Sequence, residues 1–351
     1  MSTIPPGTAL DRAAMERVEA LAELFRVAAK ELRQLERQMR ANTYRRAYLK
    51  ARIAEAQRII DSLISIRTGS MTGTVVDWAR VSIPPTYQFG AGLAVRDLQV
   101  QMVAVTAGAP TIHVRAVDAL IDRFLTNSTQ IVIKMQANVL RTVRVVLEQS
   151  GFGPEIAQGI IGGLPRRTVS KQLATALRKA ASVPLPASKP ADFTHVEING
   201  RFFPVETWAE MHARTELARA STAGTRVMTV VNGVRHVQIT SHAHEPCICT
   251  PFEGRIYALE QGDPDFSWIG DVPNGGCPMH PNCVHREAPA VIAFLQERGE
   301  IEGRTRIPEA FVGLDASELA RIVRENRDQL QSYSMRRSGY LPESFRIKAV
   351  A

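Results

Sequence analysis

A chain of 351 residues is long enough for two or three domains and a sizeable buried core. Its 45% apolar and 22% charged residues match an ordinary globular protein and exclude a disordered or fibrous class. The net charge of +8 is carried mainly by Arg, whose planar fork suits carboxylates and phosphates, although genomic base composition produces the same bias without any nucleic-acid role.

The opening residues, MSTIPPGTALDRAAMERVEA, lack the basic start and apolar run of a signal peptide. No stretch reaches the ~20 apolar residues of a membrane span, and IIDSLISI at 59–66 is interrupted by Asp61, Ser62 and Ser65. The expectation is a chain made in a cytoplasm, where four cysteines favour thiols over structural disulfides.

From Asp11 to Arg40, the apolar positions Met15, Val18, Leu21, Leu24, Phe25, Ala28, Leu32, Leu35 and Met39 step mostly by three and four, predicting an amphipathic helix. Asn42-Thr43 offers a break, and Leu49, Ile53, Ala56, Ile60 and Leu63 continue the pattern as a second helix. Residues 67–94, rich in Gly, Thr and aromatics and carrying Pro84-Pro85, read as turns and loop. A second helical block spans about 112–180, ending with two short helices, before SVPLPASKPAD (182–192) as a linker. HVEINGRFFPV predicts a hairpin about Asn199-Gly200, and TRVMTVVNGVRHVQIT another about Asn232-Gly233, with helix over 206–221 between them. Asp315, three residues before Glu318, announces a helix over 315–332.

These elements predict an α+β, predominantly helical fold in four parts. Residues 1–95 hold long helices and a Trp-bearing turn, and 96–185 form a helical middle region. A compact α+β domain with Cys/His-rich loops covers 186–295, and 296–351 is a tail with one helix. Trp78, Trp208 and Trp268 are expected as core anchors.

All four cysteines lie in two short clusters, HAHEPCIC (242–249) and CPMHPNCVH (277–285). A tetrahedral zinc ion needs four N or S ligands. Cys247, Cys249, Cys277 and Cys283 are the candidate set, with His280 and His285 as alternative ligands, because six donors compete for four positions. Reduced cysteines packed in a core, or a disulfide between the clusters, explain the same residues. Catalytic readings start from weaker patterns. Cys283 with His280 could make a nucleophilic pair, and Arg214, His244 and Glu253 could surround an anionic substrate, but spacing assigns no base, orienting group or oxyanion donor. GIIGG at 159–163 lacks the Lys-Ser/Thr ending of a phosphate-binding loop.

The order MHARTE (211–216), HEPCIC (244–249), PFEGRIYAL (251–259) and HPNCVH (280–285) resembles the shared core of the phage minor capsid proteins related to the phage Mu F head-morphogenesis protein. The likeness covers roughly 195–290, and the helical region before it is compatible in layout. Val284 stands where that family usually carries Arg. The resemblance implies a non-enzymatic virion protein of a tailed bacteriophage, made in the host cytoplasm. It would sit in several copies inside the head at the portal vertex, touching the portal protein, neighbouring capsid proteins and packaged DNA, with no membrane contact. It would assist head assembly, DNA packaging or genome delivery. Related domains also resemble modules of phage-borne toxins, so a toxin-like enzyme, ADP-ribosyltransferase-like or nuclease, and a DNA-binding head protein are the alternatives.

Overall fold

The computed structural model describes residues 10–41, 46–67, 70–105, 112–149, 195–198, 201–242 and 245–334. The fold is predominantly helical α+β, as the sequence predicts. Two compact units are each assembled from separated stretches: residues 1–16, 82–120 and 214–351 form the first, and 17–81 and 121–213 the second. The two short helices expected within 152–180, and the Pro-rich 182–192, lie outside the described residues.

The second unit takes most of α1 (Arg12–Ala41) and all of α2 (Arg46–Leu63). Val18, Leu21, Phe25, Leu32, Leu35 and Met39 form the buried stripe of α1 that the spacing predicts. Asp11 caps α1, its Oδ1 accepting from the Ala14 amide at 2.7 Å. A two-strand ribbon, β1 (Ser65–Arg67) with β2 (Ser70–Thr72), leads to Gly73 at φ +120°, where a Cβ would meet the Leu63 carbonyl oxygen at 2.8 Å. The predicted hairpin forms as β3 (His195–Ile198) and β4 (Arg201–Pro204), in antiparallel register about positions 199–200. Rings chain through this unit: Trp78 on Phe124 at 4.9 Å, Phe124 on His212 at 4.8 Å, His212 on Trp208 at 4.7 Å and Trp208 edge-on to Phe25 at 5.7 Å. Trp78 Nε1 also donates to the Arg17 carbonyl at 2.7 Å. Trp78 and Trp208 are thus core anchors, whereas Trp268 is only half-buried.

The stretch expected as turn and loop is instead α3 (Thr74–Val100), with Pro84 and Pro85 inside it. Each Pro removes one i→i−4 bond, freeing the carbonyls of Arg80 and Val81. Both of those residues are exposed, so water can satisfy the freed groups. Against that cost the helix buries Val75, Val76, Ala79, Ile83, Tyr87, Ala94 and Leu98, spaced for one face. Tertiary burial overrides the local breakers.

In the first unit, α3 lies in backbone contact with α5 (Val205–Val231). A Cβ on Gly90 would fall 1.9 Å from the Ser221 carbonyl oxygen, and one on Gly224 would fall 2.1 Å from that of Tyr87. Thr225 Oγ1 donates to the Gly90 carbonyl at 3.0 Å across this seam. α4 (Ile112–Gln149) contributes its first turns to this unit and the rest to the other. The hairpin expected about Asn232-Gly233 is a helix end meeting a strand: residues 225–231 belong to α5, Gly233 turns at φ +76°, and only β5 (His236–Ile239) is extended. Buried Met228 and the Thr225–Gly90 bond favour helix for a segment whose composition suits a strand.

A four-stranded sheet has the order β7 (Ser267–Trp268), β6 (Ile256–Ala258), β5, β8 (Glu287–Pro289); only β6 and β7 run parallel. Residues of β6 alternate between two cores. Tyr257 joins Val237, Ile239 and three cysteines on one face, while Ile256 and Ala258 join Phe266, Ala290 and Leu295 on the other. Leu295 sits on the short α6 (Ile292–Glu297). The C-terminal stretch shares the first core through Ile307 and Phe311, through Leu319, Ile322 and Val323 of α7 (Ala316–Glu325), and through Leu330 of α8 (Arg327–Ser334). Two helices therefore stand where one was expected. The break falls at Asn326, and the Asp315/Glu318 capping box opens α7 as foreseen.

Candidate metal centre

Sheet register brings the two Cys/His clusters together. β5 runs into the 242–249 loop, and the 277–285 loop runs into β8. Because β5 and β8 pair antiparallel with Ile239 opposite Glu287, both loops emerge at one end of the same ladder. The loops then fold onto the core that contains Cys249, Cys277 and Cys283. All four cysteines are free thiols.

Among the described residues, two groups of side chains could hold a metal ion: Cys247 with Cys249 and His280, and Cys249 with Cys283 and His285. The donor atoms within each group lie within 4.8 Å of one another, and Cys249 belongs to both. A tetrahedral ion with bonds of ~2.3 Å to sulfur and ~2.0 Å to imidazole nitrogen sets sulfurs ~3.8 Å apart, and sulfur and nitrogen ~3.5 Å apart. Cys249 Sγ and Cys283 Sγ are 3.7 Å apart, and Cys283 Sγ is 3.5 Å from His285 Nδ1. These are two edges of such a tetrahedron. Cys277 falls in neither group, although its buried thiol interacts with that of Cys283.

Both histidines have one nitrogen committed to oxygen. His285 Nε2 lies 3.2 Å from Glu253 Oε1, with both side chains 1% exposed, which turns Nδ1 toward sulfur. His280 Nδ1 donates to the Pro281 carbonyl at 2.6 Å, and its buried Nε2 has no oxygen or nitrogen partner among the described residues, although the ring hydrogen-bonds the Cys247 thiol. Ligating imidazoles have this form: the far N–H is held by a carboxylate or carbonyl and the near nitrogen is free to bind.

Electrostatics divide the thiols. Hydrogen bonding from Cys249 and His280 outweighs burial at Cys247 and brings it down to about 4. Cys283 is held well below the usual thiol range by hydrogen bonds from Cys249, Cys277 and His285. Burial pushes Cys249 and Cys277 up, and their thiol neighbours add to the rise. Burial opposes charge on His285, yet bonds to Cys283 and Glu253 carry it to about 10. Thiolates sharing few protons in an apolar core form the environment that a divalent cation stabilises.

An ion pair missed by the sequence reading frames one loop. Arg226 of α5 forks onto Glu287 of β8, with Nε and Nη2 at 2.6 Å from Oε2 and Oε1. The same Nη2 reaches the Gly275 carbonyl at 2.5 Å, and Glu287 Oε1 accepts from the Cys277 amide at 3.0 Å. Arg255, fully buried, spends its guanidinium on the carbonyls of Pro251, Gly303 and Arg306. Of these residues only Glu287 lies in a strand, as a charged side chain opening β8; Arg226 sits within α5 and Arg255 just before β6.

Of the residues considered for catalysis, Glu253 lies in this cluster, Arg214 is half-buried on α5 and His244 lies outside the described residues. Among the described residues no helix is long and apolar enough to cross a membrane. Comparison of the chain with known protein families, curated proteins and solved structures found no match.

Proposed function

We propose that this chain is a structural minor capsid, or head-morphogenesis, protein of a tailed bacteriophage, with a zinc-braced α+β module in its first unit. One observation carries the reading. Three of the four motifs that resemble the Mu F-related proteins are gathered by the fold, while MHARTE lies apart on α5: PFEGRIYAL supplies β6 at the middle of the sheet, and HEPCIC and HPNCVH bring Cys249 and Cys283 to 3.7 Å. Residues scattered over about forty positions of sequence thus serve one structural knot, as a family core would require.

Zinc is the metal that the donor set favours, because two thiolates and an imidazole at tetrahedral edges suit a borderline-soft ion without redox chemistry. The protein acts at the portal vertex, where it touches the portal protein and neighbouring capsid proteins in the presence of packaged DNA. Its work is assembly or genome delivery rather than catalysis. Quantitative mass spectrometry of purified heads tests this reading: a few copies per particle are expected. Absence from mature and immature heads alike overturns it.

A further inference from the structure

We infer that Glu253 is a positioning residue of the metal centre, holding His285 so that Nδ1, rather than Nε2, takes the ion beside the sulfurs of Cys249 and Cys283. This rests on the metal-centre reading above and gives that centre an outer residue with a defined task.

Chain economy makes the arrangement local. Cys249 opens the 3-10 turn Thr250–Phe252, and Glu253 follows that turn at once in an extended conformation (φ −65°, ψ 147°). One short segment, buried along Thr250, Pro251 and Phe252, thereby delivers a ligand and a carboxylate together. Two bonds brace it: Phe252 N donates to the Cys249 carbonyl at 2.8 Å, and Tyr257 Oη donates to the Phe252 carbonyl at 3.1 Å. His285 arrives from the opposite loop, immediately before β8, with its own freedom limited by the strand.

A carboxylate at 1% exposure is costly unless its charge is answered. Glu253 Oε1 meets His285 Nε2 at 3.2 Å, which places an imidazole against the buried carboxylate. An imidazole that donates Nε2–H to a carboxylate presents a more basic Nδ1 in a fixed direction. That direction is toward Cys283 Sγ at 3.5 Å, the edge length that a shared tetrahedral ion sets. Both partners are sealed from solvent, which suits orientation of a ligand and not proton exchange with a diffusing substrate.

The test uses the full chain, stripped of metal and titrated with Co2+, followed by Zn2+ in competition. Glu253→Gln keeps an acceptor oxygen and loses the charge; Glu253→Ala loses both. We expect Glu253→Ala to weaken Zn2+ binding by about 10–100-fold, with Glu253→Gln between it and the wild type. The Co2+ spectrum should keep its thiolate charge-transfer bands while its ligand-field bands shift. Uptake of no metal by the wild type overturns the metal reading and this inference with it. Wild-type affinity in both folded Glu253 variants overturns the positioning role alone. Should either variant not fold, nitrogen-15 NMR of histidines in the zinc-loaded wild type decides. Coordination of His285 through Nδ1 with a protected Nε2–H supports the assignment, and coordination through Nε2, or none, refutes it.

Discussion

Replacing Arg226 by Ala isolates the ion pair that ties α5 to the cysteine loop. The Glu287 side chain is wholly buried and accepts three bonds, two from the guanidinium at 2.6 Å and one from the Cys277 amide at 3.0 Å. Without Arg226 the carboxylate keeps one backbone donor and no opposing charge. Breaking a buried pair from one side costs about 3–5 kcal/mol, because the remaining charge stays desolvated. Gly276, at φ +112°, packs under the same fork, where a Cβ would lie 2.3 Å from both Arg226 Nη2 and Glu287 Oε1; loss of the fork should therefore loosen the turn that leads to Cys277. Urea unfolding gives the global cost, and hydrogen exchange of the 272–289 segment gives the local one. In a double-mutant cycle, Arg226→Met with Glu287→Met should cost less than the sum of the single changes. A loss under about 1 kcal/mol for Arg226→Ala, or strict additivity in the cycle, would refute the argument.

Cys283→Ser should reduce bound zinc from about one ion per chain to none by elemental analysis and lower the melting temperature, while amides of the β5–β8 ladder stay protected. Two helical glycines should respond oppositely to Ala in denaturant titrations: Gly224→Ala loses upwards of about 2 kcal/mol, because its Cβ meets the Tyr87 carbonyl oxygen at 2.1 Å. Gly92→Ala, with nothing within 4 Å, gains about 0.5–1 kcal/mol. Burial raises the Asp61 carboxyl despite hydrogen bonds from Gln57 and Gln136, so the ionised form is penalised in the folded state above that raised value. Asp61→Asn keeps an acceptor for both amides and should raise the melting temperature at pH 7, with the advantage shrinking as pH falls and Asp61 itself takes up a proton.

What was legible in the sequence depended on whether a local pattern and tertiary packing asked for the same thing. In α1 the three-and-four spacing of Val18, Leu21, Phe25 and Leu32 is also the buried stripe, so periodicity alone sufficed. The strands flanking Asn-Gly pair in the expected antiparallel register, and Asp315 before Glu318 forms the expected capping box. α3 failed this test because Pro84-Pro85 and Gly90 are breakers locally, while the burial of Ile83 and Tyr87 and the close approach to Ser221 are visible only in three dimensions. The two Cys/His clusters announced a site. The division of roles within it did not follow from spacing, since Glu253 is matched to His285 across 32 positions and Glu287 to Arg226 across 61. Glu253, one of three residues that could surround an anionic substrate when the sequence is read alone, instead meets a buried imidazole.

The centre differs in one physical respect from a small zinc finger, whose core is too slight to fold without metal. Here the loops converge because β5 pairs with β8, and side chains outside the donor set hold that ladder. Gln101 of the turn after α3 donates to the Pro289 carbonyl at 2.8 Å and accepts from the Val291 amide at 2.8 Å. Arg286 pairs with Asp97 at 2.6 Å. Ile307, Phe311, Leu319 and Leu330 close over the cysteine-bearing core from the C-terminal side. An ion would therefore meet donors that already lie within 4.8 Å of one another in each group, and the ordering cost left for it to offset would be confined to two loops. Its binding energy is then available to fix those loops: it would hold 247–253 and 277–285 rigid on one end of the sheet, a surface shaped by side-chain chemistry rather than by chain length.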